Sequence, residues 1–202
     1  MIDENDMFGW MMENNLGWAA LFHNHIDAVL KEKAKEIPIS EELDEKDKRY
    51  WKDMYENNFP EKLRETTYLL MFGHCEEMLY LLWRDKNSKS IPLDKGHGIT
   101  KFKSYIKDVL GIELGNCSDY QYLSEAQKVR NSLLHIAGRV SLSKEKEALE
   151  AIVKRNPNLY SINLDRIKIS YDGLLGLQKA IRGLTKTLLN NSIQPTANAP
   201  AD

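Results

Sequence analysis

The strongest constraint on the fold of this chain is the spacing of its apolar residues, which recur at three and four residues through almost its whole length. Leu174, Leu177, Ile181, Leu184 and Leu188 give the clearest case. They form a narrow seam on one face of a helix that can pack lengthwise on a neighbour. Phe8, Met12, Leu16, Ala19, Phe22, Ile26 and Leu30 predict a long first helix over about Asp6 to Glu36, which Gly9 and Gly17 weaken and Ile37-Pro38 ends. Ser40 with Glu41 and Glu42 opens a second pattern reaching Glu56. It is dense in charge and anchored only by Tyr50, Trp51, Met54 and Tyr55, so it reads as a solvated helix lying on one aromatic edge.

Asn58, with Pro60 in the first turn, predicts the cap of a third helix running to about Arg84 through Leu63, Leu70, Met71, Met78, Leu81 and Leu82, the central core helix. Pro92, Gly96 and Gly98 make a loop of the stretch from Lys86, long enough for a mobile lid or an exposed excursion. Phe102, Tyr105, Ile106, Val109 and Leu110 fit a short helix stopped by Gly111. A charged helix is expected from Lys144 to Arg155, and Leu159 to Ile169 holds enough β-branched residues for a short extended segment. The tail from Asn190 is polar and contains Pro, a composition for disorder. The expected fold is all-α, an antiparallel helical bundle over residues 59–190, with a helical N-terminal extension over 1–58 and a disordered tail over 191–202.

A chain of 202 residues suits one domain with such an extension. A net charge of −2 and a pI near 6.2 show no bulk basic character. Any nucleic-acid contact must therefore come from a local patch, because non-specific phosphate binding scales with the Lys and Arg placed on the backbone. Cys75 and Cys117 make no disulfide framework and fit a reducing compartment. The acidic stretch Met1 to Asp6 is the wrong composition for a secretory or mitochondrial leader, and no apolar run approaches membrane-spanning length, so a cytoplasmic location without membrane attachment is expected.

The polar residues that need explaining lie in Lys128-Val129-Arg130-Asn131-Ser132-Leu133-Leu134-His135. Ser118 with Gln121 predicts a capping box and Cys117 with Tyr122 a hydrophobic staple, which start a helix that Gly138 stops. Leu123, Ala126, Val129, Leu133 and Ile136 mark its core face. Asn131, His135 and Arg139 form a second line at four-residue steps, flanked by Lys128 and Arg130. The patch offers a fork-shaped anion clamp, an amide and a titratable imidazole together.

This stretch resembles the signature of the HEPN superfamily of small helical domains, an Arg with a polar residue next and a His after four to six residues. Composition alone would yield Arg-Asn-x3-His roughly 0.015 times in a chain like this, so the match carries weight. The resemblance implies a metal-independent endoribonuclease of a toxin or abortive-infection defence system, or else a non-catalytic helical module that binds a nucleotide or regulates a partner. It implies RNA as substrate, no cofactor, a homodimer through the motif helix, and an antitoxin or regulatory partner. Arg130, Asn131 and His135 would be catalytic, with Lys128 and Arg139 on the RNA.

Other candidates read as structural. His23 and His25 point to different faces of a helix, and zinc sites need three or four convergent ligands. His74-Cys75-Glu76-Glu77 has no metal spacing and reads as the polar edge of a core helix, from which Glu76 or Glu77 could orient the His135 ring. Gly96-His97-Gly98 lacks the spacing of a phosphate loop. Trp10, Trp18, Trp51 and Trp83 read as core or interface anchors, and Ser132 has no base at a hydrolase spacing.

Overall fold

The first apolar pattern becomes one uninterrupted helix, α1 (Glu4–Glu36), in the computed structural model, which describes residues 4–192. Phe8, Met12, Leu16 and Ala19 are buried along its inner face. The pattern misplaces Phe22, which is 54% exposed while its neighbour His23 takes the buried position. A tight turn at Ile37–Ile39, with Pro38 in it, ends α1. Helix α2 (Glu45–Asp53) starts later than the expected Ser40, because the Asp44 carboxylate is the cap that accepts from the amides of Lys46 and Asp47 at 2.9 and 2.8 Å.

No break separates α2 from the central helix. A wide turn at Met54–Asn58 carries the backbone directly into α3 (Phe59–Lys86), so Asn58 is helical and caps nothing. Its amide reaches back to Asp53 instead, at 2.7 Å. Tyr50, Trp51, Tyr55 and Phe59 run along this junction as a chain of ring contacts. On α3 Tyr68, Phe72, Cys75, Leu79 and Leu82 are buried, whereas Leu70, expected inward, stands in solvent.

The stretch after α3 is tied down at both ends. Trp83 Nε1 donates to the Ile91 carbonyl at 2.8 Å, and the Asp94 carboxylate accepts from the Ser104 amide and hydroxyl at 2.8 and 2.6 Å. A turn at Gly98–Phe102 leads into α4 (Lys103–Asp108), then α5 (Ser118–Ile136) and α6 (Lys146–Arg155). The ambiguous segment is a hairpin of β1 (Tyr160–Asn163) and β2 (Arg166–Ile169), antiparallel with Tyr160 opposite Ile169. Leu164 and Asp165 both take left-handed backbone angles at its tip, which matches the twist of a two-residue turn. The last helix is α7 (Tyr171–Ser192), and all five of its predicted seam residues are buried. Most of the expected tail lies outside the described residues, although Asn191 and Ser192 are still helical.

The described residues are mostly helical, 77% helix and 5% strand. No helix among the described residues is long and apolar enough to cross a membrane. One buried cluster runs from Phe8 through Phe72 and Leu123 to Leu188, so α1 shares the core of the later helices. Helix α1 runs antiparallel to α7, with Glu13 ion-paired to Arg182 and His23 against Tyr171. α3 sits between α1 and α5. It turns Met78, with His74 and Glu77, toward α1, and Tyr68, Phe72 and Glu76 toward α5.

Candidate functional site

Helix α5 begins without the predicted box. Cys117 occupies the cap position with no side-chain bond, and the Gln121 amide donates to the Gly115 carbonyl. Tyr120, Leu123, Ala126, Val129 and Leu133 seat the helix in the core, which fixes its outward face. A buried tyrosine cluster ties it to α3 and the hairpin, where the Tyr68 hydroxyl donates to the Ala126 carbonyl at 3.3 Å and shares a 3.0 Å bond with the Tyr160 hydroxyl.

The helix stops earlier than Gly138 alone implies. Ala137 and Gly138 both adopt left-handed angles, φ 50° and 75°, and the Gly138 amide closes on the Ser132 carbonyl at 2.9 Å. A side chain at Gly138 would meet Ile167 and Leu133 at 3.3 Å, a tight fit against the hairpin that adds to the left-handed backbone angle in favouring glycine. The consequence falls on Arg139. It leaves the line of Asn131 and His135 and pairs its backbone with Arg166 on the hairpin. There it lies beside Asp165, whose carboxyl is held below the usual range first by the Ser141 hydroxyl and amide and then by the Arg139 charge.

Arg130 and Asn131 are brought together. Arg130 Nη1 donates to Asn131 Oδ1 at 3.0 Å, Nη2 donates to Glu76 Oε2 at 3.1 Å, and the guanidinium carbon stands 5.8 Å from the Phe72 ring centre. The other carboxylate oxygen of Glu76 is buried without a hydrogen-bond partner among the described residues. It faces Gly98, where a Cβ would come within 2.8 Å of it. Gln127 locks this loop, accepting from the Ile99 amide at 2.8 Å and donating to the His97 carbonyl at 3.0 Å.

His135 stands one turn beyond Asn131 on the exposed face, and its ring has no hydrogen bond among the described residues. Neither carboxylate expected to orient it does so. Glu76 holds Arg130, and Glu77 pairs with His74 at 3.4 Å on the side of α3 toward α1. Lys128 is paired with Glu145 ahead of α6. Each of the three cations expected to make a basic patch thus has a carboxylate beside it, so the local field is weaker than the sequence spacing implies.

Cys75 is fully buried in the polar stretch of α3, and burial pushes its thiol up to about 12. That rules it out as a thiolate nucleophile or ready ligand. Ser132 is also buried, with its hydroxyl unpartnered among the described residues. No group of three His, Cys, Asp or Glu among the described residues is placed to hold a metal ion. Sequence reading places Glu76 near the motif but assigns it to His135 in place of Arg130, and it misses Phe72 and Gln127 as members of this cluster. Only the four-residue step from Phe72 to Glu76, which puts both on one face of α3, hints at Phe72. The chain matches no protein-family model, no curated protein and no solved structure.

Proposed function

We propose that the protein is a metal-independent endoribonuclease of the toxin or abortive-infection kind, acting as a HEPN-like homodimer through α5. One observation carries this reading: the Arg130 fork is fixed over Phe72 by Glu76 and Asn131, while His135 stands free one turn from Asn131 on the same outward face. In the reaction the RNA's own 2′-OH attacks the adjacent phosphorus as its proton passes to one His135. The bond from phosphorus to O5′ breaks, and O5′ takes a proton from a second His135. The products are a 2′,3′-cyclic phosphate and a 5′-OH.

A single chain carries one such histidine on α5, so a base and an acid together come from two copies, and one histidine alone supports slower cleavage. A two-fold contact along α5 places the same residues of both copies in one cleft. Arg130 holds the phosphate and offsets its developing charge, Asn131 orients Arg130 or substrate, and Lys128 and Arg139 contact flanking phosphates. An antitoxin or other regulatory partner would restrain the activity, with the cytoplasm as its place of action.

The second reading is a non-catalytic module of the same type that binds a nucleotide or partner. The ion pair of Arg130 with Glu76 favours it, since that pair occupies part of the guanidinium that a phosphate would need. Incubation of the purified protein with total RNA in excess EDTA separates the two. Cleavage leaving cyclic phosphate ends, lost in His135→Ala, supports the ribonuclease. Intact RNA at every concentration of protein supports the binding module.

A further inference from the structure

Helix α1 has 33 residues, about 50 Å at 1.5 Å per residue, and the fold uses only one of its faces. On the other face Met7, Trp10, Trp18, Leu21, Phe22 and Val29 are 44–66% exposed. At about 100° per residue the six fall within one sector of about 120° running the length of the helix. Single exposed apolar side chains are ordinary, but six large ones in one sector, interrupted there only by the polar residues Asn14 and His25 and by Ala28, are not. Charge is missing as well. From Met7 to Ile26 the sole charged residue is Glu13, and it turns to α7 to accept from Arg182 at 2.8 Å. Aromatic and Met enrichment with charge depletion is the composition of an interface core.

We infer that α1 is a self-association surface on which two copies pair antiparallel about a two-fold axis passing Trp18. The register follows from the stripe. Its ends, Met7 and Val29, are equally distant from Trp18, so pairing centred there sets Met7 of one copy against Val29 of the second and covers both stripes throughout. A two-fold contact must be self-complementary, and an antiparallel apolar stripe is. At roughly 200 Å² for each side chain when fully exposed, the six present roughly 700 Å² per copy. That approaches the roughly 800 Å² per partner of a stable interface.

A lipid surface fits less well. A helix lying in a bilayer interface carries Lys or Arg on its polar face. Here the opposite face is protein core, and the first basic residue of the chain is Lys31. The inference does not rest on the ribonuclease reading. α3 directs different side chains to α1 and to α5, so the α1 contact leaves Arg130 and His135 uncovered.

Sedimentation velocity on the full chain between about 1 and 100 µM tests the contact. Wild type is expected to associate, Trp18→Glu to weaken association at least tenfold, and Trp18→Glu with Leu21→Glu to abolish the α1 contact. Helix content should not change, because both side chains stand in solvent within one copy, and melting should fall only by the concentration-dependent share that association contributes. Leu134→Glu on α5 is the control. If α5 also pairs, wild type exceeds a dimer, and the doubly substituted α1 variant leaves a dimer that Leu134→Glu then dissolves. Under a mild oxidant Trp18→Cys should cross-link to itself, and Met7→Cys should cross-link to Val29→Cys, with wild type as the control for the native thiols. A wild type that is monomeric at 100 µM overturns the inference, as does association that the double α1 substitution leaves unchanged. Dimers that give neither cross-link overturn the antiparallel register. Binding of a monomeric wild type to phosphatidylcholine or phosphatidylglycerol vesicles, lost in Trp18→Glu, would assign the stripe to lipid instead.

Discussion

Arg130 of α5 and Glu76 of α3, 54 residues apart in sequence, meet at 3.1 Å with their side chains 20% and 23% exposed. A pair this sheltered is worth little as attraction but costs much to break, because the survivor stays desolvated. Arg130→Ala is therefore expected to lower stability by about 1–3 kcal/mol, part of the buried-pair cost being relieved by solvent. Glu76→Ala should cost a similar amount. The double variant should recover about 1 kcal/mol or more relative to the sum of the two. Urea titration of the four proteins measures this, and additivity within about 0.3 kcal/mol would mean that the pair does not couple α3 to α5.

His135 offers the opposite contrast. It is exposed and has no hydrogen bond among the described residues, so His135→Ala should change stability by less than about 0.5 kcal/mol. Under the ribonuclease reading the same substitution removes RNA cleavage to background, since proton transfer at both O2′ and O5′ depends on it. The chemistry needs only imidazole and guanidinium, so wild-type cleavage should persist in excess EDTA. Activity lost on chelation and restored by one divalent ion would sink that mechanism while leaving the fold untouched.

Acid should loosen the segment between α3 and α4. The Asp94 carboxyl is held below the usual aspartate range, first by the Ser104 hydroxyl and then by the Ser104 amide. A depressed folded value means that Asp94 stabilises the protein above the ordinary carboxylate pKa and that this contribution is lost as pH falls through the lower folded one. Asp94→Asn is thus expected to cost about 1 kcal/mol at pH 7, a figure discounted for partial exposure, and progressively less as pH falls below the ordinary carboxylate range. Denaturation of both proteins at pH 7 and pH 3 checks the sign. An equal difference at the two pH values would show that the charge of Asp94 is not involved.

The sequence is most legible where one residue's identity settles its place. Leu174, Leu177, Ile181, Leu184 and Leu188 are buried as their spacing predicts, because Lys179, Arg182 and Lys186 occupy the opposite face of α7 and leave one side alone for the core. Helix ends are less legible. Asp44 outcompetes Ser40 as a cap by having two amides in reach. On α1 the period is right and the phase is wrong at Phe22, because apolar residues line both faces there and spacing alone cannot say which face meets the core.

In the candidate site, Asn131 and His135 lie one turn apart on α5 as their four-residue spacing predicts, whereas Arg130, about 100° around the helix from Asn131, turns to Glu76 and Phe72 of α3. Arg139 does not, since extrapolating the helical step past Ile136 ignores the left-handed turn that packing against Ile167 imposes. Glu76 could not be paired with Arg130 from sequence. That contact depends on how closely two helices cross, which no local pattern encodes.

The composite cleft makes a prediction that only two copies can meet. Arg130→Ala and His135→Ala homodimers each lack one residue type in every cleft, so both should be inactive under the ribonuclease reading. A mixed dimer keeps Arg130 on one copy and His135 on the other. Random exchange of equal amounts yields roughly half mixed dimers, and these should recover part of the cleavage if the residues act across a two-fold contact along α5. Recovery stays partial because the second Arg130 and second His135 are missing. The α1 contact could bring copies together without joining their α5 helices, so both variants should also carry Trp18→Glu. Recovery that persists in that background places the reaction at α5. Exchange proven by pull-down of a tagged copy, with no cleavage recovered, would mean that both copies of each residue are required or that the residues do not meet across the interface.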